Sequence, residues 1–516
     1  MEVQARPKVR TVNDTDTQAD RATLIDPTRQ RSDGRPSDKM GASEHPDFMM
    51  GKQLTDEQRQ QMTEMLTEFR SVFQDTPGRT HLTTHTIQLT DETPCWQPSY
   101  PIPHSLRDAV EAELNKMEQN GIIEVDSDSK YNNPLIIVRK KDNSIRLVNN
   151  FILLNEKTVK EKYDMANANE IMNRVAGGKI TTKLDLYSFF YKIELSPECS
   201  KFTAFLTTFG RYHYNMMPQG LCGAPITAQK LIDCLLRGCH RYSAALQDDI
   251  IVFSNNWQSH LVHVRDVLER LRNAGLTANV KKCMFGSHKI TILGFVIDNG
   301  QVCIDEDKIR AVKEWKNPKT KSQLKSFLGF TNFVRHMIYR YADIASPLME
   351  MLPRNQPDKL EWNDSRNLAF ENLKMALVSK PVLRAGNPQI GYQVWTDASS
   401  VAVAGVLTQK DDMGNKYVVS YTSRKLLGHE ARYSTVEKEL LFIVNALQKF
   451  RQWIFSNDVQ VLSDHRPLKY LNALTKHSNR LARWALILQD YNVKTTFVKG
   501  ELQWAEALTR TPNVYE

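Results

Sequence analysis

Apolar residues recur at three- and four-residue intervals in several segments of the chain, and this spacing predicts amphipathic helices. In the first of them, 54–73, the residues Met62, Leu66 and Phe69 share one helical face. The other helices are predicted at 108–120, 260–274, 305–315, 321–339, 369–378 and 434–455. Helical periodicity takes over in the segments between residues 260 and 339, which indicates a separate helical module.

Runs rich in β-branched and aromatic residues, bounded by turn-forming residues, predict strands. Two such runs flank a polar turn within 133–148 and predict a hairpin with a basic tip. Strands and helices alternate from 180 to 254, and a second α/β pattern has strands near 391–408, 417–423 and 458–463. The pattern therefore indicates a mixed α/β unit, a helical unit and a second, smaller α/β unit.

Two segments have the composition of connecting or disordered chain. Residues 1–52 are rich in Asp, Thr, Arg, Gln, Ser and Gly and lack apolar periodicity, which predicts a disordered leader. Residues 351–390 contain several prolines and one predicted helix, which is typical of a tether. The total length of 516 residues is enough for about three or four domains.

Composition excludes several classes of protein. No apolar run approaches the roughly 20 residues that cross a bilayer, and the N-terminus lacks the apolar core of a secretory signal. The seven cysteines include no C-x-x-C pair, which argues against zinc fingers and disulfide scaffolds. The net charge of +9 suits a polyanionic partner such as nucleic acid, but it is equally compatible with an ordinary basic protein.

The first set of candidate catalytic acids lies in the α/β unit between 180 and 254. Asp185 follows a β-rich run, and Asp248 and Asp249 lie between two apolar runs that predict a hairpin. Adjacent carboxylates repel each other unless a cation compensates, and Mg²⁺ is the usual ion where phosphates are also bound. Three carboxylates around two such ions suit in-line phosphoryl transfer, whereas an isolated Asp-Asp is more often a solvated turn.

A second set of acids lies in the last quarter of the chain. Its members are placed at the ends of predicted elements, as two metal ions flanking a scissile phosphate require. They are Asp397, Glu439, Asp464 and Glu506. Glu437 is the competing candidate, but its spacing from Ser434 is that of a capping box, so we assign it to helix capping. Taken singly, each acid could equally be a surface or cap residue.

The order of motifs around both sets resembles a known family. Residues 217–225 (MPQGLCGAP) precede Asp248-Asp249, and residues 327–335 (FLGFTNFVR) follow Leu293-Gly294. From about residue 54 to residue 510 the chain resembles the reverse transcriptase of Gypsy-type (Metaviridae) long-terminal-repeat retrotransposons and, more distantly, of retroviruses. The order of the last four acids resembles that of ribonuclease H.

The resemblance implies a multidomain fold of α/β and α+β type. A right-hand polymerase with fingers, palm and thumb would be followed by a ribonuclease H-like α/β domain. The implied domains are a leader at 1–52, fingers and palm at 53–256, a thumb at 257–350, a tether at 351–390, a ribonuclease H domain at 391–510 and a tail at 511–516. No protease Asp-Thr/Ser-Gly motif and no zinc-binding integrase head is found, so we expect one part of a Pol polyprotein.

The resemblance also implies roles for individual residues. Asp185, Asp248 and Asp249 match the metal-binding triad of the palm. Phe190 matches the steric gate against a ribose 2′-OH, although an aromatic there could equally be a core residue. Gln219 also belongs to the implied nucleotide-binding set, although it could instead fill a turn. The fingertip cations Lys140 and Arg146 complete that set, although they could instead be solvated. Leu293 and Gly294 match the primer grip.

Several positions depart from the family pattern. They are Leu246 for the Tyr before x-Asp-Asp, Phe189 for a small residue beside the gate, Asn150 and Ile152 for an Asp and an Arg of the fingers, Ala228 for a Phe, and Glu506 for an Asp. None of them removes a metal ligand. Phe189 in particular is expected to crowd the sugar pocket, because it lies next to Phe190.

The implied function is RNA-directed and DNA-directed DNA polymerisation with ribonuclease H cleavage of the RNA–DNA hybrid. The implied cofactor is Mg²⁺, with Mn²⁺ as an alternative, at two ions per active site. The implied partners are an RNA template, a DNA primer, the RNA–DNA hybrid, dNTPs and a second copy of the chain in a homodimer on the substrate. The expected location is a cytoplasmic virus-like particle, with the nucleus as an alternative. The alternative function is that of a domesticated or decayed copy that binds nucleic acid without copying it.

Overall fold

A computed structural model describes residues 48–74, 78–140, 143–165, 167–353, 355–379, 382–399, 401–463 and 479–498. For Asp397, Ala398 and Phe497 only the backbone is described. Asp464, Glu506, the tail at 511–516 and most of the predicted leader at 1–52 therefore lie outside the described residues. No helix within these ranges is both long enough and apolar enough to cross a membrane.

The helices are numbered in chain order. They are α1 (Asp56–Glu68), α2 (Arg107–Gln119), α3 (Ile152–Lys157), α4 (Ala168–Ala176), α5 (Pro197–Ser200), α6 (Ala224–Leu235), α7 (Trp257–Asn273), α8 (Glu306–Lys313), α9 (Lys321–Phe333), α10 (Tyr341–Met349), α11 (Asp364–Val378), α12 (Thr435–Ile454) and α13 (Asn479–Gln489). The predicted helices are confirmed within a few residues at their ends, with three exceptions. Helix α1 ends five residues and α9 ends six residues before the predicted end, and α11 begins five residues before its predicted start.

The strands are numbered in the same way. They are β1 (Thr84–His85), β2 (Ile123–Val125), β3 (Leu135–Arg139), β4 (Ile145–Asn149), β5 (Ile180–Asp185), β6 (Glu194–Leu195), β7 (Phe205–Thr207), β8 (Gly210–Tyr214), β9 (Ser243–Leu246), β10 (Asp249–Ser254), β11 (Met284–Ser287), β12 (Lys289–Ile292), β13 (Phe295–Asp298), β14 (Gln301–Ile304), β15 (Leu383–Arg384), β16 (Tyr392–Ala398), β17 (Ala402–Lys410), β18 (Lys416–Lys425), β19 (Asp458–Ser463) and β20 (Asn492–Phe497).

The first α/β unit is built on a four-stranded sheet in the order β11-β5-β10-β9. Helix α7 packs on this sheet through an apolar face that includes Val264, Leu268 and Leu271. The predicted basic hairpin is confirmed as β3–β4, and β2, β8 and β7 form a separate three-stranded sheet. One continuous apolar core joins these elements.

The last residues of the predicted leader differ from expectation. Met50 pairs with Phe285 in a parallel bridge, and the Gly51 N–H donates to the Phe285 carbonyl at 2.8 Å. Phe48 packs edge-on against Phe73 and Phe285, with ring centroids 5.4 and 5.7 Å away. Residues 48–51 are held in this way because their apolar side chains find partners that are distant in the sequence.

The predicted helical module is only partly helical. Strands β12, β13 and β14 form an antiparallel sheet within it, and β15 adds a fourth strand from residues 383–384. The prediction failed here because these four-residue strands are too short to show a clear two-residue period. Helices α8 to α10 then pack around a second apolar core.

The segment 351–390, which was expected to be a tether, contributes to that second core. Helix α11 buries Ala369, Phe370, Leu373 and Leu377, and the Phe370 and Phe327 rings lie 4.5 Å apart. The segment is therefore packed along its helix rather than extended between domains.

The C-terminal unit is a five-stranded sheet in the order β18-β17-β16-β19-β20. Strands β16 to β18 are antiparallel, and β19 and β20 pair in parallel. Successive side chains point to opposite faces, so Val394 joins the core under α12 whereas Trp395 joins the second core with α11. The sheet is therefore covered on both faces.

Candidate active sites

Antiparallel pairing brings the first acids to one end of the four-stranded sheet. Asp249 lies directly opposite Asp185 in the β10–β5 register. The Leu186 N–H donates to the Asp248 carbonyl at 3.0 Å, which ties the β9–β10 turn to the chain after Asp185. Gln247 in this turn has a φ of +54°. Three carboxylate-bearing residues therefore meet at the tip of one hairpin and the end of the neighbouring strand.

Two lysines compensate the charge at this tip. The Lys183 ammonium lies 3.0 Å from Asp249 Oδ1, and the Lys282 ammonium lies 3.4 Å from Asp185 Oδ1. Burial raises the pKa of the Asp185 carboxyl, while the Lys282 charge acts to lower it and the Asp249 charge to raise it. This cluster of acids is therefore partly desolvated and requires nearby positive charge.

The donor set at the tip is chemically suited to a hard divalent cation, which prefers carboxylate oxygens. With the side chains as placed, however, no group of three metal-ligating residues in the described ranges is close enough to hold an ion. The Lys282 side chain is 63 % exposed, so it has room to move away from Asp185. The three carboxylates at the tip are suitable ligands for such a cation, but their side chains would have to move closer together to bind it.

Gln229 supports the hairpin from α6 and was not identified from the sequence. Its side chain is fully buried, and its Oε1 accepts from the Gln247 N–H at 3.0 Å. Its Nε2 donates to Asp233 Oδ1 at 2.9 Å, and Asp233 also accepts from the Tyr163 hydroxyl. A Gln in an apolar helix face, next to the noted Ala228, was the available signal.

The structure separates the two neighbouring phenylalanines by environment. Phe189 is only 2 % exposed and belongs to the core, whereas Phe190 is half-buried at the edge of the same core. Their ring centroids are 6.1 Å apart at an angle of 64°. The Phe189 ring therefore fills the interior, next to the more exposed ring of Phe190.

Gln219 lies in a turn that is closed by the side chain of Asn155. The Asn155 Nδ2 donates to the Gly220 carbonyl at 2.9 Å, and its Oδ1 accepts from the Cys222 N–H at 2.8 Å. Gly220 has a φ of +102°, a conformation that L side chains rarely adopt. Asn155, at the end of α3, is thus a second positioning residue that sequence reasoning missed.

Lys140 and Arg146, the candidate fingertip cations, lie in the β3–β4 hairpin. Both side chains are exposed; Arg146 lies opposite Val138, and the Lys140 N–H closes the turn by donating to the Ser144 carbonyl at 2.8 Å. Burial raises the pKa of Tyr191 to about 12, and the Arg146 charge acts in the opposite direction. The hairpin therefore brings Arg146 within electrostatic range of the turn that carries Phe190.

Leu293 and Gly294 form the tight turn between β12 and β13. Their φ angles are +53° and +79°, as a two-residue hairpin turn with twisted strands requires. The Lys308 ammonium donates to the Leu293 carbonyl at 3.1 Å and lies so close to Gly294 that a Cβ there would meet it. The turn is therefore rigidly held.

The remaining departures from the family pattern have ordinary environments. Leu246 lies opposite Asp249 on β9 and is half-buried against the second core. Asn150 accepts from the Ile152 N–H at 3.1 Å at the start of α3, while the Ile152 side chain is exposed. Ala228 is fully buried in α6.

The second set of acids is described only in part. Asp397 lies near the end of β16, where its backbone pairs with Ala404. Glu439 is buried on α12. The assignment of Glu437 to capping is confirmed, because it and Ser434 form a reciprocal capping box, and Arg480 donates to Glu437 at 3.0 Å. Asp464, which follows β19, and Glu506 lie outside the described residues.

Comparisons with known families match both units of the chain. Residues 138–297 match the family described as reverse transcriptase (RNA-dependent DNA polymerase). Residues 387–491 match the RNase H-like domain found in reverse transcriptase.

The chain is similar to retrotransposon polyproteins along most of its length. The retrovirus-related Pol polyproteins from transposons 297 and opus of Drosophila melanogaster are 33 % and 31 % identical, over 83 % and 91 % of this chain and 40 % and 48 % of their own length. The transposon Tf2-3 polyprotein of Schizosaccharomyces pombe (strain 972 / ATCC 24843) is 33 % identical over 80 % of this chain and 31 % of its own. The chain thus spans less than half the length of these relatives.

Solved structures share the fold at 20 % sequence identity. The foamy viral protease-reverse transcriptase in complex with dsDNA has a TM-score of 0.76, covering 87 % of this chain and 95 % of that one. The same protein in complex with RNA/DNA hybrid has a TM-score of 0.71, covering 87 % of this chain and 61 % of that one.

Proposed function

The chain belongs to the reverse transcriptase–RNase H family of Gypsy-type retrotransposon Pol polyproteins, and on that premise we propose that it copies retroelement RNA into DNA and degrades the RNA strand of the hybrid. The observation that carries this proposal is the antiparallel register that sets Asp249 opposite Asp185, with Asp248 at the adjoining tip. This arrangement lies inside the stretch that matches the polymerase family. The polymerase would also extend the primer on a DNA template.

Domains of these two kinds generally use divalent metal ions. We propose Mg²⁺, with Mn²⁺ as an alternative, at two ions per site; in the polymerase Asp185, Asp248 and Asp249 would hold them. Bound ions would supply the positive charge that activates the primer hydroxyl and stabilises the leaving pyrophosphate. In their absence Lys183 and Lys282 compensate the carboxylates, so Lys282 would have to leave Asp185.

The other residues would bind and orient the substrates. Lys140 and Arg146 would hold the triphosphate, since both project from the exposed hairpin, and Arg suits bidentate phosphate contacts. The half-buried ring of Phe190 would exclude a ribose 2′-OH, and Gln219 would contact the incoming nucleotide from the turn that Asn155 closes. The rigid turn at Leu293 and Gly294 would hold the primer end.

The nuclease site is proposed to consist of Asp397, Glu439, Asp464 and Glu506. Support comes from the placement of Asp397 near the end of β16 and of Glu439 on α12, which packs on β16. These acids would orient the water and the scissile phosphate, and their ions would supply the charge for metal-assisted hydrolysis.

The finer features of organisation are also proposals. They comprise fingers and palm at 53–256, a thumb at 257–350, a connecting segment at 351–390 and a nuclease domain at 391–510. We propose an RNA template, a DNA primer, an RNA–DNA hybrid and dNTPs as substrates, a homodimer on the substrate, and a cytoplasmic virus-like particle or the nucleus as the location. The nucleic-acid substrates are supported by the complexes of the structurally similar foamy viral protein with dsDNA and with RNA/DNA hybrid.

Primer extension on an RNA template, with Mg²⁺ and Mn²⁺ in parallel, tests the polymerase. The parent chain should extend the primer, whereas Asp249→Asn should reduce extension by at least a hundredfold because a proposed ion ligand loses its charge. Glu371→Gln, which alters an exposed acid on α11, is the matched control and should behave as the parent. A parent that binds template–primer but never extends it with either ion would refute the proposal in favour of a binding protein.

A further inference from the structure

A crevice of about 1000 Å³ has none of the candidate acids among its described lining residues. Its walls are the start of α4 in the first α/β unit, the end of α9 with the residues up to 336, strand β18 and the C-terminal half of α12. The polymerase and nuclease units both contribute to it, so it exists only where they meet.

The lining of the crevice is basic. None of the described residues that line it is acidic. Four of them are cationic: Arg335, Arg424, Lys449 and Arg451. Arg424 is compensated by a bidentate ion pair with Glu430 at 2.6 and 2.9 Å. Within the described ranges the other three cations form no ion pair, so their charge remains available to an anion. Side-chain amides line much of the rest and offer further hydrogen bonds.

Aromatic rings are exposed among these cations. Phe333 is 43 % exposed and Phe455 is 47 % exposed, and both line the crevice. The Arg451 guanidinium lies 4.0 Å from the Phe455 ring centroid, which forms a cation–π platform at the end of α12. Exposed rings beside cations are the combination on which unpaired bases stack while their phosphates are neutralised.

The walls are held together by contacts across the two units. Arg335 donates to the Ser423 carbonyl on β18, and its guanidinium lies 5.4 Å from the centroid of the Tyr341 ring. The Ala342 N–H donates to Ser423 Oγ at 3.0 Å. These contacts preorganise the crevice, because Arg335 is fixed before any ligand arrives.

We propose that this crevice binds a short stretch of single-stranded nucleic acid, through its phosphates and by stacking of its bases. A single strand is favoured over a duplex by size, since a cube of this volume would be roughly 10 Å on a side and the major groove of a duplex alone is about 12 Å wide. The inference rests on the proposed function only in that the chain handles nucleic acid, and the described residues that line the crevice include none of the proposed catalytic residues.

Two substitutions on α12 test the site without disturbing the core. Lys449→Gln removes one exposed cation, and Gln448→Glu adds an opposing charge with little change of shape. Lys410→Gln is the matched control, because it also removes one exposed lysine of the nuclease unit, but outside the crevice. The probe is a labelled oligouridylate too short to fold, titrated at several salt concentrations, with a blunt duplex of equal length beside it.

The salt slope is the steepness with which the logarithm of the binding constant falls with the logarithm of the salt concentration. Each lost phosphate contact on a single strand should lower this steepness by about 0.7. Lys449→Gln should show this decrease, Gln448→Glu should weaken oligouridylate binding about tenfold, and Lys410→Gln should match the parent. Binding of the blunt duplex should be unchanged in all three variants. The inference is overturned if both crevice variants bind oligouridylate as the parent does, if Lys410→Gln has the same effect, or if duplex binding falls equally.

Primer extension by the same proteins separates this inference from the proposed function. In one outcome the parent fails to extend a primer while Lys449→Gln still lowers the salt slope. That result would refute the proposed polymerase function but support nucleic-acid binding by the crevice. An active parent whose crevice variants bind oligouridylate normally would refute the crevice alone.

Discussion

At the scale of single residues, the candidate polymerase site depends on neighbouring side chains that carry no charge. Gln229 satisfies the Gln247 N–H of the hairpin turn, and Asn155 satisfies two backbone groups of the turn at Gln219. Such contacts are worth more than their bond energies suggest, because the groups they satisfy are buried or strained. The hairpin turn beside Asp248 and the turn that carries Gln219 are therefore each held by an amide side chain.

Replacing Gln229 by Met should impair DNA synthesis without removing an acid. The partly buried Gln247 N–H would lose its acceptor, which costs about 1 kcal/mol and loosens the turn beside Asp248. We expect primer extension to fall by about tenfold or more while hybrid cleavage stays at the parent rate. Tyr163→Phe removes only the hydroxyl that donates to Asp233, so it should reduce primer extension less than Gln229→Met does. Equal extension by Gln229→Met and the parent would contradict this role.

Lys192 predicts a pH dependence of stability. Burial lowers the pKa of its ammonium from 10.5 to about 7, and its contacts within the described chain are to Thr277. The folded state therefore binds fewer protons than the unfolded state between pH 7 and 10.5. Stability should rise with pH across that window, by up to about 1.4 kcal/mol per pH unit, and the full penalty for burying the charge should remain below pH 7.

The measurement is chemical unfolding of the parent and of Lys192→Met from pH 6 to 10. The Met variant lacks the buried charge, so its advantage over the parent should be largest near pH 6–7 and should shrink as the pH rises. Lys201→Met, at an exposed lysine nearby, should follow the parent at every pH. Parallel curves for the parent and Lys192→Met would show that the Lys192 ammonium is not desolvated in the folded protein.

At the scale of elements, α11 has the most unexpected role, because it lies in a segment with the composition of a tether. Phe370 packs 4.5 Å from Phe327 of α9 and edge-on to Trp362, and β15 joins the sheet of β12 to β14. The segment 351–390 thus completes a core that the preceding helices cannot close alone. Its described prolines, at 353, 357 and 388, lie outside the helix, where they do not interrupt its hydrogen bonds.

Truncating Phe370 should therefore destabilise the protein as a core substitution does. Phe370→Ala should lower the free energy of unfolding by about 3–5 kcal/mol, whereas Met375→Ala on the same helix, at a side chain that is 62 % exposed, should change it by about 0.5 kcal/mol or less. Denaturant titration measures both. A tether would instead tolerate the two substitutions equally.

At the scale of the whole molecule, the polymerase and nuclease units are in contact yet carry separate acids. The Lys425 ammonium on β18 lies 2.8 Å from Glu350, and the Tyr421 and Tyr339 rings are 5.9 Å apart. The described acids nevertheless lie on separate elements: Asp185 and Asp249 on β5 and β10, and Glu439 on α12. Contact between the units can therefore align a shared substrate without sharing ligands.

Separate sites predict separable activities. Asp248→Asn should abolish primer extension and leave hybrid cleavage within about twofold of the parent. Glu439→Gln should do the reverse, because each substitution removes charge from one proposed ion site only. Both activities are measured on one labelled RNA–DNA hybrid with a recessed primer. Loss of both activities in a folded Asp248→Asn variant would contradict two independent sites.

Local patterns in the sequence determined those features that depend on near neighbours along the chain. Apolar periodicity placed the helices, the polar turn placed the β3–β4 hairpin, and the Ser434–Glu437 spacing identified a capping box. The candidate acids were also found from the sequence, because each follows or begins a predicted element. These signals are readable since helices, hairpins and caps are formed by residues a few positions apart.

Only the tertiary structure decided what depends on residues far apart in the chain. It set Asp249 opposite Asp185, buried Phe189 while leaving Phe190 at the edge, and drew the 351–390 segment into a core. It also placed Gln229 behind the hairpin. Such contacts leave no periodic trace, because they arise from long-range strand pairing and from the burial of side chains against elements that a local pattern does not specify.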